Sequence, residues 1–506
     1  MDQSETPLVD ALQRCAVRPN AAFYTPGHKR GQGITPRQRQ LFGRLAFQAD
    51  LPELPDLDNL FAPEGVILHA QQLAAEAFGA QQTWFLANGS TCGIEAAILA
   101  TCGPGDKIIV PRNAHLSVIS GLILSGAVPI YISPPYSGDW QIPLGFINPD
   151  SIAEALKTHP DVKAVLLVSP TYEGICSRLE LIAKVTHEYD IPLIVDAAHG
   201  PHFAFHPSLP KTALESGADI VVQSAHKVLS AFTQAALLHT SGDRINKHRL
   251  SQSLQITQSS SPSYLLLASL DAARHQMATR GEALLTQTIK LANQAHQALE
   301  KLPGLKVLRP GNRRDAFERD VLNGDCTRLS VNVMGLGLTG FEADRILHTQ
   351  YSVTAELPTL SHLTFVISIG NTLEDIDRLI HGFIQLCKSH SSNIHQSNSN
   401  FYDQQSHHLV SDLISDSAAL SDAFSVAECS PRQAFFSTKM PLPLAQTIGR
   451  VCAETLSPYP PGIPAILPGE VITESAIAHL KATLAAGSII TGCSDPTLQT
   501  ILTVAL

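Results

Sequence analysis

Short runs of Val, Ile and Leu alternate with stretches of helical periodicity between about residues 61 and 239. Within 178–190, for example, Leu179, Ile182 and Val185 fall on one face of a predicted helix. The runs are almost continuously apolar, which is typical of strands buried on both faces of a parallel sheet. We therefore predict an α/β domain with a largely parallel sheet covered by helices. The predicted strands are 107–111, 128–133, 162–169, 191–198, 218–224 and 235–239.

A change of pattern after residue 258 indicates further domains. A long helix through Glu282–Lys301, strands at 328–333 and 363–369, and a closing helix predict a smaller α+β domain. Residues 388–408 contain almost no aliphatic side chain, so they are the predicted linker. The predicted segments are an N-terminal arm (1–60), a large domain (61–258), a small α+β domain (259–387), the linker (388–408) and a C-terminal α+β domain (409–506).

Composition and charge narrow the class of protein. The chain has 506 residues, 44% hydrophobic and 16% charged, which predicts a soluble protein with a large interior and two or three domains. The formal net charge of −10 argues against a nucleic-acid partner. Nine cysteines without a C-x-x-C pair favour a reducing compartment. The uncharged stretch 116–138 is broken by Gly, Ser and Pro, so we expect a buried helix and strand, no membrane span and a cytoplasmic protein.

Lys227 gives the clearest chemical signal in the chain. It follows the apolar run 218–223 and a Ser-x-His tripeptide, a position where a lysine has little access to water. Burial disfavours the ammonium form, so we expect a lowered pKa and an available amine. Such an amine can form an imine with an aldehyde cofactor. The alternative interpretation is a surface lysine at the end of a strand.

Two further segments favour a phosphate-bearing aromatic aldehyde near that lysine. In 86–99 a turn with Ser90 and Thr91 leads into a helix, whose first N–H groups can bind phosphate, although the same pattern is a common helix cap. Asp196 ends an apolar strand, where ligands of open α/β sheets bind. Its carboxylate would pair with a protonated pyridine nitrogen, and the small Ala198 would let the ring lie close. Alternatively, Asp196 is the N-cap of a helix.

His115 completes the pattern. It begins a predicted helix after a strand and would stack on the ring face opposite the strand of Asp196, although a lone histidine is more often structural. The chain order is then a phosphate turn, a stacking histidine, a strand-end aspartate and Ser-x-His-Lys. Lys227 follows Asp196 by 227 − 196 = 31 positions.

Motifs along the whole chain resemble those of the ornithine/lysine/arginine decarboxylase family in its shorter bacterial form, a family of fold-type I pyridoxal-phosphate enzymes. The resemblance covers all three domains and is carried by a specific combination of segments. These are FYTPGHKRG (23–31), LPDLDNLFAPEGVI (54–67), NGST (88–91), RNAHLS (112–117), SPTYEG (169–174), VDAAHGPHFAFH (195–206), SAHKVLSAFTQAALLH (224–239), SPRQAFF (430–436) and PYPPGIPAILPGE (458–470).

The resemblance implies an aspartate aminotransferase-like large domain with a mostly parallel seven-stranded sheet that binds pyridoxal 5'-phosphate. It also implies a role for each matching residue. These are Lys227 as the lysine that carries the cofactor, Asp196 on the pyridine nitrogen, His115 on the ring face, Ala198 behind the ring, His199 near its 3'-oxygen, and Ser90, Thr91, Ser224 and His226 around the phosphate.

Two positions depart from the family pattern. Ala197 stands where the family commonly has glutamate, and Leu116 where it often has Lys or Gln. Neither touches the expected core chemistry, but either could alter rate or substrate handling.

His199, His202 and His206 have a spacing that could fit a metal site. Because Pro201 breaks the segment and the cofactor already uses this loop, we expect no metal.

The choice between decarboxylation and transamination depends on the substrate carboxylate. A decarboxylase needs surroundings poor in positive charge for that group, whereas aminotransferases of this fold clamp it with an arginine near the last strand of the small domain. That strand, within 363–372, contains no arginine; Arg328 on an earlier strand remains a possible clamp. The cationic far end of the substrate should meet a carboxylate, for which Glu356 is the candidate. An exposed glutamate at a strand end is the ordinary alternative.

We therefore predict a pyridoxal-phosphate-dependent decarboxylase that converts lysine, arginine or ornithine into the amine and carbon dioxide, an activity of polyamine metabolism. Lysine is slightly preferred, without a residue that favours it. The resemblance further implies a homodimer, or a larger homo-oligomer, with shared active sites. Two alternatives stay open: an aminotransferase or other lyase with the same cofactor, and a catalytically degenerate regulatory member of the family.

Overall fold

A computed structural model describes residues 1–137, 140, 142–143, 146–309, 324–390, 427–459, 464–485 and 487–505. The helices are α1 Pro7–Val17, α2 Pro36–Ala49, α3 Val66–Phe78, α4 Gly89–Thr101, α5 Leu116–Ser125, α6 Pro149–Thr158, α7 Leu179–Glu188, α8 Ala225–Val228, α9 Lys247–Thr257, α10 Tyr264–Leu299, α11 Gly340–Tyr351, α12 Leu373–Ser389, α13 Pro431–Phe436 and α14 Glu474–Ala485.

The strands alternate with these helices through the first half of the chain. They are β1 Gln82–Leu86, β2 Lys107–Pro111, β3 Val128–Ile132, β4 Tyr136–Ser137, β5 Ile142–Pro143, β6 Val162–Val168, β7 Leu193–Asp196, β8 Ile220–Gln223, β9 Ala236–Thr240, β10 Lys306–Leu308, β11 Arg328–Asn332, β12 Leu357–Pro358, β13 His362–Val366, β14 Lys439–Pro443, β15 Ser457–Tyr459, β16 Ile489–Thr491 and β17 Thr500–Val504.

A seven-stranded, mostly parallel sheet has the strand order β1-β9-β8-β7-β6-β2-β3. β9 is antiparallel to both β1 and β8, whereas β7 with β8, and β2 with β3 and β6, are parallel. The predicted fold class and strand number are therefore confirmed. All six predicted strands are present, with bounds that differ by no more than two residues. β1 was not among them.

The chain divides into two compact units, 1–101 with 190–286 and 102–189 with 287–506. In the first unit, α4 begins close to the sheet because Gly93 lacks a side chain. A Cβ atom there would lie 2.7 Å from Leu86 Cδ1 and 2.9 Å from Val222 Cγ1, so a larger residue would push α4 away from β1 and β8. The start of this helix is thereby held next to the carboxyl ends of these strands.

The second unit contains β2, β3 and β6 together with two smaller substructures. An antiparallel sheet of order β10-β11-β13-β12 packs its buried face on α11, α12 and the end of α10. Farther along the chain, the antiparallel pairs β14–β17 and β15–β16 enclose a separate apolar core with α14. These match the predicted α+β character of the small and C-terminal domains. Their exact boundaries stay predictions, and the predicted linker lies outside the described residues from 391 onward.

The helix α10 is longer than the predicted one, which began at Glu282. It starts at Tyr264 and runs for 36 residues. Its first part is buried on more than one face, with Leu267, Leu270 and Ala273 almost inaccessible, so the amphipathic pattern used for the prediction is weak there. Among the described residues, no helix has both the length and the hydrophobicity needed to cross a membrane.

Candidate active site

Lys227 and His199 face each other in the first unit. Lys227 lies on the short helix α8, where its backbone N–H donates to the Ser224 carbonyl at 3.2 Å. Its Nζ atom lies 2.8 Å from Nε2 of His199. The histidine is buried and the lysine is half-buried, so the amine is only partly accessible to water. The predicted position of His199 near the 3'-oxygen of the cofactor stays a prediction.

Asp196 and Ala198 follow from the register of two parallel strands. Asp196 is the last residue of β7 and pairs with Val222 of β8, and the next N–H, of Ala197, donates to the Val222 carbonyl at 2.9 Å. The Asp196 carboxylate is buried and accepts the Ala198 N–H at 3.1 Å. Because β7 and β8 end at the same edge of the sheet, this carboxylate and the segment that carries Lys227 emerge together.

Hydroxyl groups from two segments meet at the start of α4. Ser224 follows β8, is fully buried and donates from Oγ to Ser90 Oγ at 2.8 Å. Thr91, the next residue of α4, is exposed. His226 is half-buried, with Nδ1 lying 3.1 Å from the Ala235 carbonyl oxygen. The structure thus places Ser224 against Ser90 at the start of a helix, where backbone N–H groups have no intrahelical acceptor. The roles of Ser90, Thr91, Ser224 and His226 toward a phosphate stay predictions.

Two glutamines that no sequence motif marks, Gln234 and Gln258, fix the loop before α4. Gln234 Nε2 donates to the Ala87 carbonyl at 2.8 Å, and Gln258 Oε1 accepts the Ala87 N–H at 2.8 Å. Gln234 adopts a φ of +85°, an uncommon value for a residue with a side chain. Since Gln234 lies seven positions after Lys227, 234 − 227 = 7, it connects the lysine segment to the loop of the predicted phosphate site.

His115 belongs to the second unit and has a defined local role. It is the N-cap of α5, and its Nδ1 atom accepts the Ser117 N–H at 3.2 Å and lies 3.1 Å from Ser117 Oγ. An Nδ1 atom that accepts from a backbone N–H has no proton of its own, so the neutral ring carries its proton on Nε2. The side chain is exposed. Stacking on a cofactor ring stays a prediction.

Glu356 and Arg328 lie in the small antiparallel sheet region of the same unit. Glu356 is exposed directly before β12, and its N–H donates to the Thr364 carbonyl at 3.1 Å. Arg328 is fully buried, with Nε 3.4 Å from Asp325 Oδ2. Burial lowers the pKa of Arg328, while the charges of Asp325, Glu356 and Tyr172 oppose that shift. A guanidinium already facing Asp325 is a poor clamp for a substrate carboxylate.

The three histidines of the possible metal site have different partners. His199 contacts Lys227, and His206 Nε2 lies 3.1 Å from Thr286 Oγ1. His202 is buried against the ring of Phe203, with ring centroids 4.8 Å apart. Within the described residues, no group of three or more His, Cys, Asp or Glu side chains is arranged to hold a metal ion.

The fold places the chain in a broad class of α/β proteins. Lysine decarboxylase A from Pseudomonas aeruginosa has a similar structure, with a TM-score of 0.83 and 22% identity over 99% of this chain and 81% of that chain. Alanine–glyoxylate aminotransferase from a Nostoc species has a TM-score of 0.51 and 18% identity over 65% of this chain and 88% of that chain. At these identities the likeness is one of fold, shared by decarboxylases and aminotransferases.

The sequence assigns the chain within that class. It belongs to the Orn/Lys/Arg decarboxylase family, because residues 6–372 match the family's major domain and 418–494 match its C-terminal domain. The arginine decarboxylase of Bacillus subtilis is 37% identical over 99% of this chain and 98% of that protein. Lysine decarboxylase LdcA of Pseudomonas aeruginosa is 26% identical over 93% of this chain and 74% of that protein. The family predicted from the motifs is confirmed.

Proposed function

We propose that this protein is a pyridoxal-phosphate-dependent decarboxylase that converts a basic amino acid into the corresponding amine and carbon dioxide. The observation that carries the proposal is the Lys227–His199 contact at 2.8 Å, on the segment that also places Ser224 against Ser90. Membership of a decarboxylase family supports the reaction. The same support weighs against a transaminase, whose structural relatives share only the fold.

The chemistry of the side chains in the first unit fits pyridoxal phosphate. Ser90 and Ser224 supply hydroxyl groups beside the start of α4, which is the donor set that a phosphate requires. Asp196 supplies a buried carboxylate, suited to a cationic ring nitrogen. Lys227 supplies a primary amine that can bond to an aldehyde. These three functions lie on segments that leave one edge of the sheet, since β7 and β8 are parallel neighbours.

When bound, the cofactor supplies an electron sink for the electron pair left on the substrate's α-carbon as carbon dioxide departs. The chain's own residues provide the rest. Lys227 would hold the cofactor covalently and, once released by substrate, is the amine that can move protons near the α-carbon. Asp196 would keep the ring nitrogen protonated, and Ser90 and Ser224 would orient the phosphate. By the family resemblance, His115 would cover a face of the ring.

Arginine is the proposed first choice of substrate. The relatives that align over almost the whole length of this chain at 36–37% identity carry the name arginine decarboxylase, whereas those named lysine decarboxylase reach 26%. This revises the slight preference for lysine. Glu356 is the proposed carboxylate for the cationic end of the substrate. Although Glu356 is exposed, its negative charge acts on the buried Arg328 and favours the cationic form of that side chain.

We also propose a cytoplasmic homodimer. In the N-terminal arm, α2 buries none of its residues, and Leu41 and Leu45 are 74% and 73% exposed. Phe23, before this helix, is 94% exposed. Exposed apolar side chains grouped on one segment are typical of a surface covered by a partner. Light scattering on the purified protein should give twice the 54.3 kDa chain mass or a higher multiple, and a monomer would contradict the proposal.

Carbon dioxide release tests the reaction directly. Purified protein supplied with pyridoxal phosphate should release labelled carbon dioxide from carboxyl-labelled arginine, lysine or ornithine, fastest from arginine. Borohydride reduction should fix the cofactor on Lys227, identified by peptide mass spectrometry, and Lys227→Ala should abolish both results. Formation of a keto acid without carbon dioxide would identify a transaminase. Absence of cofactor uptake would leave the degenerate, regulatory alternative.

A further inference from the structure

The C-terminal domain contacts the segment just before α5 through a buried ion pair. Arg112, three residues before His115, donates from NH2 to Glu470 Oε2 at 2.8 Å, and both side chains are 2% exposed. The same guanidinium donates to the carbonyls of Pro464 and Ala465, each at 3.0 Å. A planar guanidinium can satisfy several acceptors at once, which lysine cannot do with the same geometry. The segment that leads into His115 is therefore fixed to residues 464–470.

Glu470 is itself held in place for this contact. Its Oε2 atom accepts the Leu467 N–H at 2.8 Å in addition to the Arg112 bond. Burial raises the pKa of Glu470, and the charge of Arg112 opposes that shift. Removing one member of a buried pair leaves the other charge without compensation, which is strongly destabilising. The pair therefore constrains both segments at once.

The C-terminal domain also contacts the other end of α5. Arg432, at the start of α13, donates from NH1 to the carbonyls of Ile123 and Leu124 at 2.8 and 2.9 Å. These carbonyls lie in the last turn of α5, where a cation is favoured by the helix dipole. The helix ends at Gly126, with φ +76°, and a Cβ atom there would lie 3.2 Å from Arg432 Cδ. Glycine thus permits the close approach of Arg432.

The two contacts belong to one rigid part of the C-terminal domain. The Glu428 N–H donates to the Gly469 carbonyl at 2.9 Å, which joins the segment before α13 to the segment of Glu470. Gly469 has a φ of +93°, and a Cβ atom there would lie 2.2 Å from the Cys429 carbonyl oxygen. Only glycine fits this approach. Residues 430–436 and 464–470 are therefore packed together. Arg432 of the first segment contacts the last turn of α5, and Glu470 of the second contacts Arg112 before the helix.

We propose that Arg432 and Glu470 are positioning residues. Arg432 holds the last turn of α5, and Glu470 holds Arg112 just before the helix. Together these two contacts set the position of the N-cap residue of α5, His115. The inference rests on the proposed function for the role of His115 toward the cofactor. The two contacts are independent of that role, because all the atoms that form them belong to the protein. Through these contacts the C-terminal domain would influence catalysis, although Arg432 and Glu470 act only through α5 and the segment before it.

Hydrogen exchange of the cofactor-free protein tests whether Arg432 and Glu470 restrain α5 and the segment before it. Arg432 is exposed, so Arg432→Ala should fold, and amide exchange in peptides covering α5 should accelerate about ten-fold, the factor expected from losing a charge-assisted hydrogen bond. Arg432→Lys keeps a cation at the last carbonyls and should restore most of the protection. Glu470→Gln should accelerate exchange at 112–117 instead. Arg450→Ala, which removes an exposed arginine of the same domain, is the matched control and should leave α5 unchanged.

The loaded protein tests the consequence for His115. Arg432→Ala and Glu470→Gln should lower kcat about ten-fold with little change in the KM for amino acid, and should alter the visible circular dichroism of the bound cofactor, whereas Arg450→Ala should do neither. Unchanged α5 exchange in both variants would overturn the proposal. So would faster exchange combined with wild-type kcat and dichroism. If wild-type protein took up no cofactor, the proposed function would fail. The exchange experiment would still show whether Arg432 and Glu470 restrain α5.

Discussion

The Nζ atom of Lys227 lies 2.8 Å from Nε2 of His199. Two protonated groups at this separation would repel each other, so one of the two nitrogen atoms must offer a lone pair. A hydrogen bond therefore joins the two side chains, and either nitrogen atom can be its donor. His199 is thus in a position to orient the lysine amine and to exchange a proton with it.

Replacing His199 should therefore impair cofactor attachment and turnover. His199→Ala should lower kcat/KM by about 10–100-fold, because a hydrogen bond to a charged group contributes about 1.5–3 kcal/mol. Stopped-flow absorbance should show slower formation of the yellow, covalently loaded protein. His206→Ala is the control, since His206 lies on the same loop but contacts Thr286. Equal effects of the two substitutions would show that the loop, and not the Lys227 contact, is responsible.

Ser224 provides a test of the predicted phosphate site. Ser224→Ala removes the hydroxyl that contacts Ser90 and should raise the dissociation constant for pyridoxal phosphate about ten-fold, the effect of about one hydrogen bond. At saturating cofactor, kcat should stay within about two-fold of wild type, because the reacting atoms are untouched. A fluorescence titration of cofactor-free protein measures the constant. Ser230→Ala, whose hydroxyl donates to Gln276, should bind as wild type does.

Local patterns predicted the central strands and the positions of Lys227 and Asp196 at their ends. These features depend on near neighbours in sequence: an apolar run, followed at once by the functional residue. The strand β1 was missed because its five residues, QTWFL, form a short run that periodicity alone does not separate from a buried helix segment. Its place beside β9 is set by pairing across the fold, Leu86 with Ala236.

The supporting residues of the site could not be predicted in the same way. Gln234 and Gln258 contact Ala87 from 147 and 171 positions away. Glutamine at those positions carries no motif, and only the folded chain brings it to the loop. The same holds for Arg112 and Glu470, which are 358 positions apart. Local sequence patterns predicted candidate catalytic residues, whereas the side chains that support them depend on tertiary packing.

Glu356 should discriminate substrates by the charge at their far end. Glu356→Gln keeps the size of the side chain and should raise the KM for arginine about 10–100-fold, as expected for losing a charged hydrogen bond. The KM for norleucine, which lacks the cationic end, should not change. Glu374→Gln removes an 81% exposed carboxylate and is the matched control. A parallel rise of KM for both amino acids would assign Glu356 a structural role instead.

His239 should make the protein sensitive to acid. This fully buried side chain joins β1 to β8, with Nδ1 2.8 Å from Thr83 Oγ1 and Nε2 3.2 Å from Gln223 Oε1. Burial lowers the pKa of His239 from 6.5 to about 3. Below pH 6.5 the unfolded chain binds a proton there that the folded chain refuses until about pH 3. Folding stability is therefore complete above pH 6.5 and is lost as pH falls across that interval.

The titration of His239 should make the free energy of unfolding fall measurably with decreasing pH. Between about pH 5 and 4, His239 should remove up to about 1.4 kcal/mol of unfolding free energy per pH unit. His239→Gln can keep a hydrogen bond but does not titrate, so its urea midpoint should fall less steeply with acid, whatever its stability at pH 7. Fluorescence of Trp84, next to Thr83 in β1, reports on this region. His206→Gln leaves His239 in place, so its urea midpoint should fall with acid as steeply as that of the wild type. If the midpoints of wild type and His239→Gln fell equally steeply, His239 would not be the group responsible.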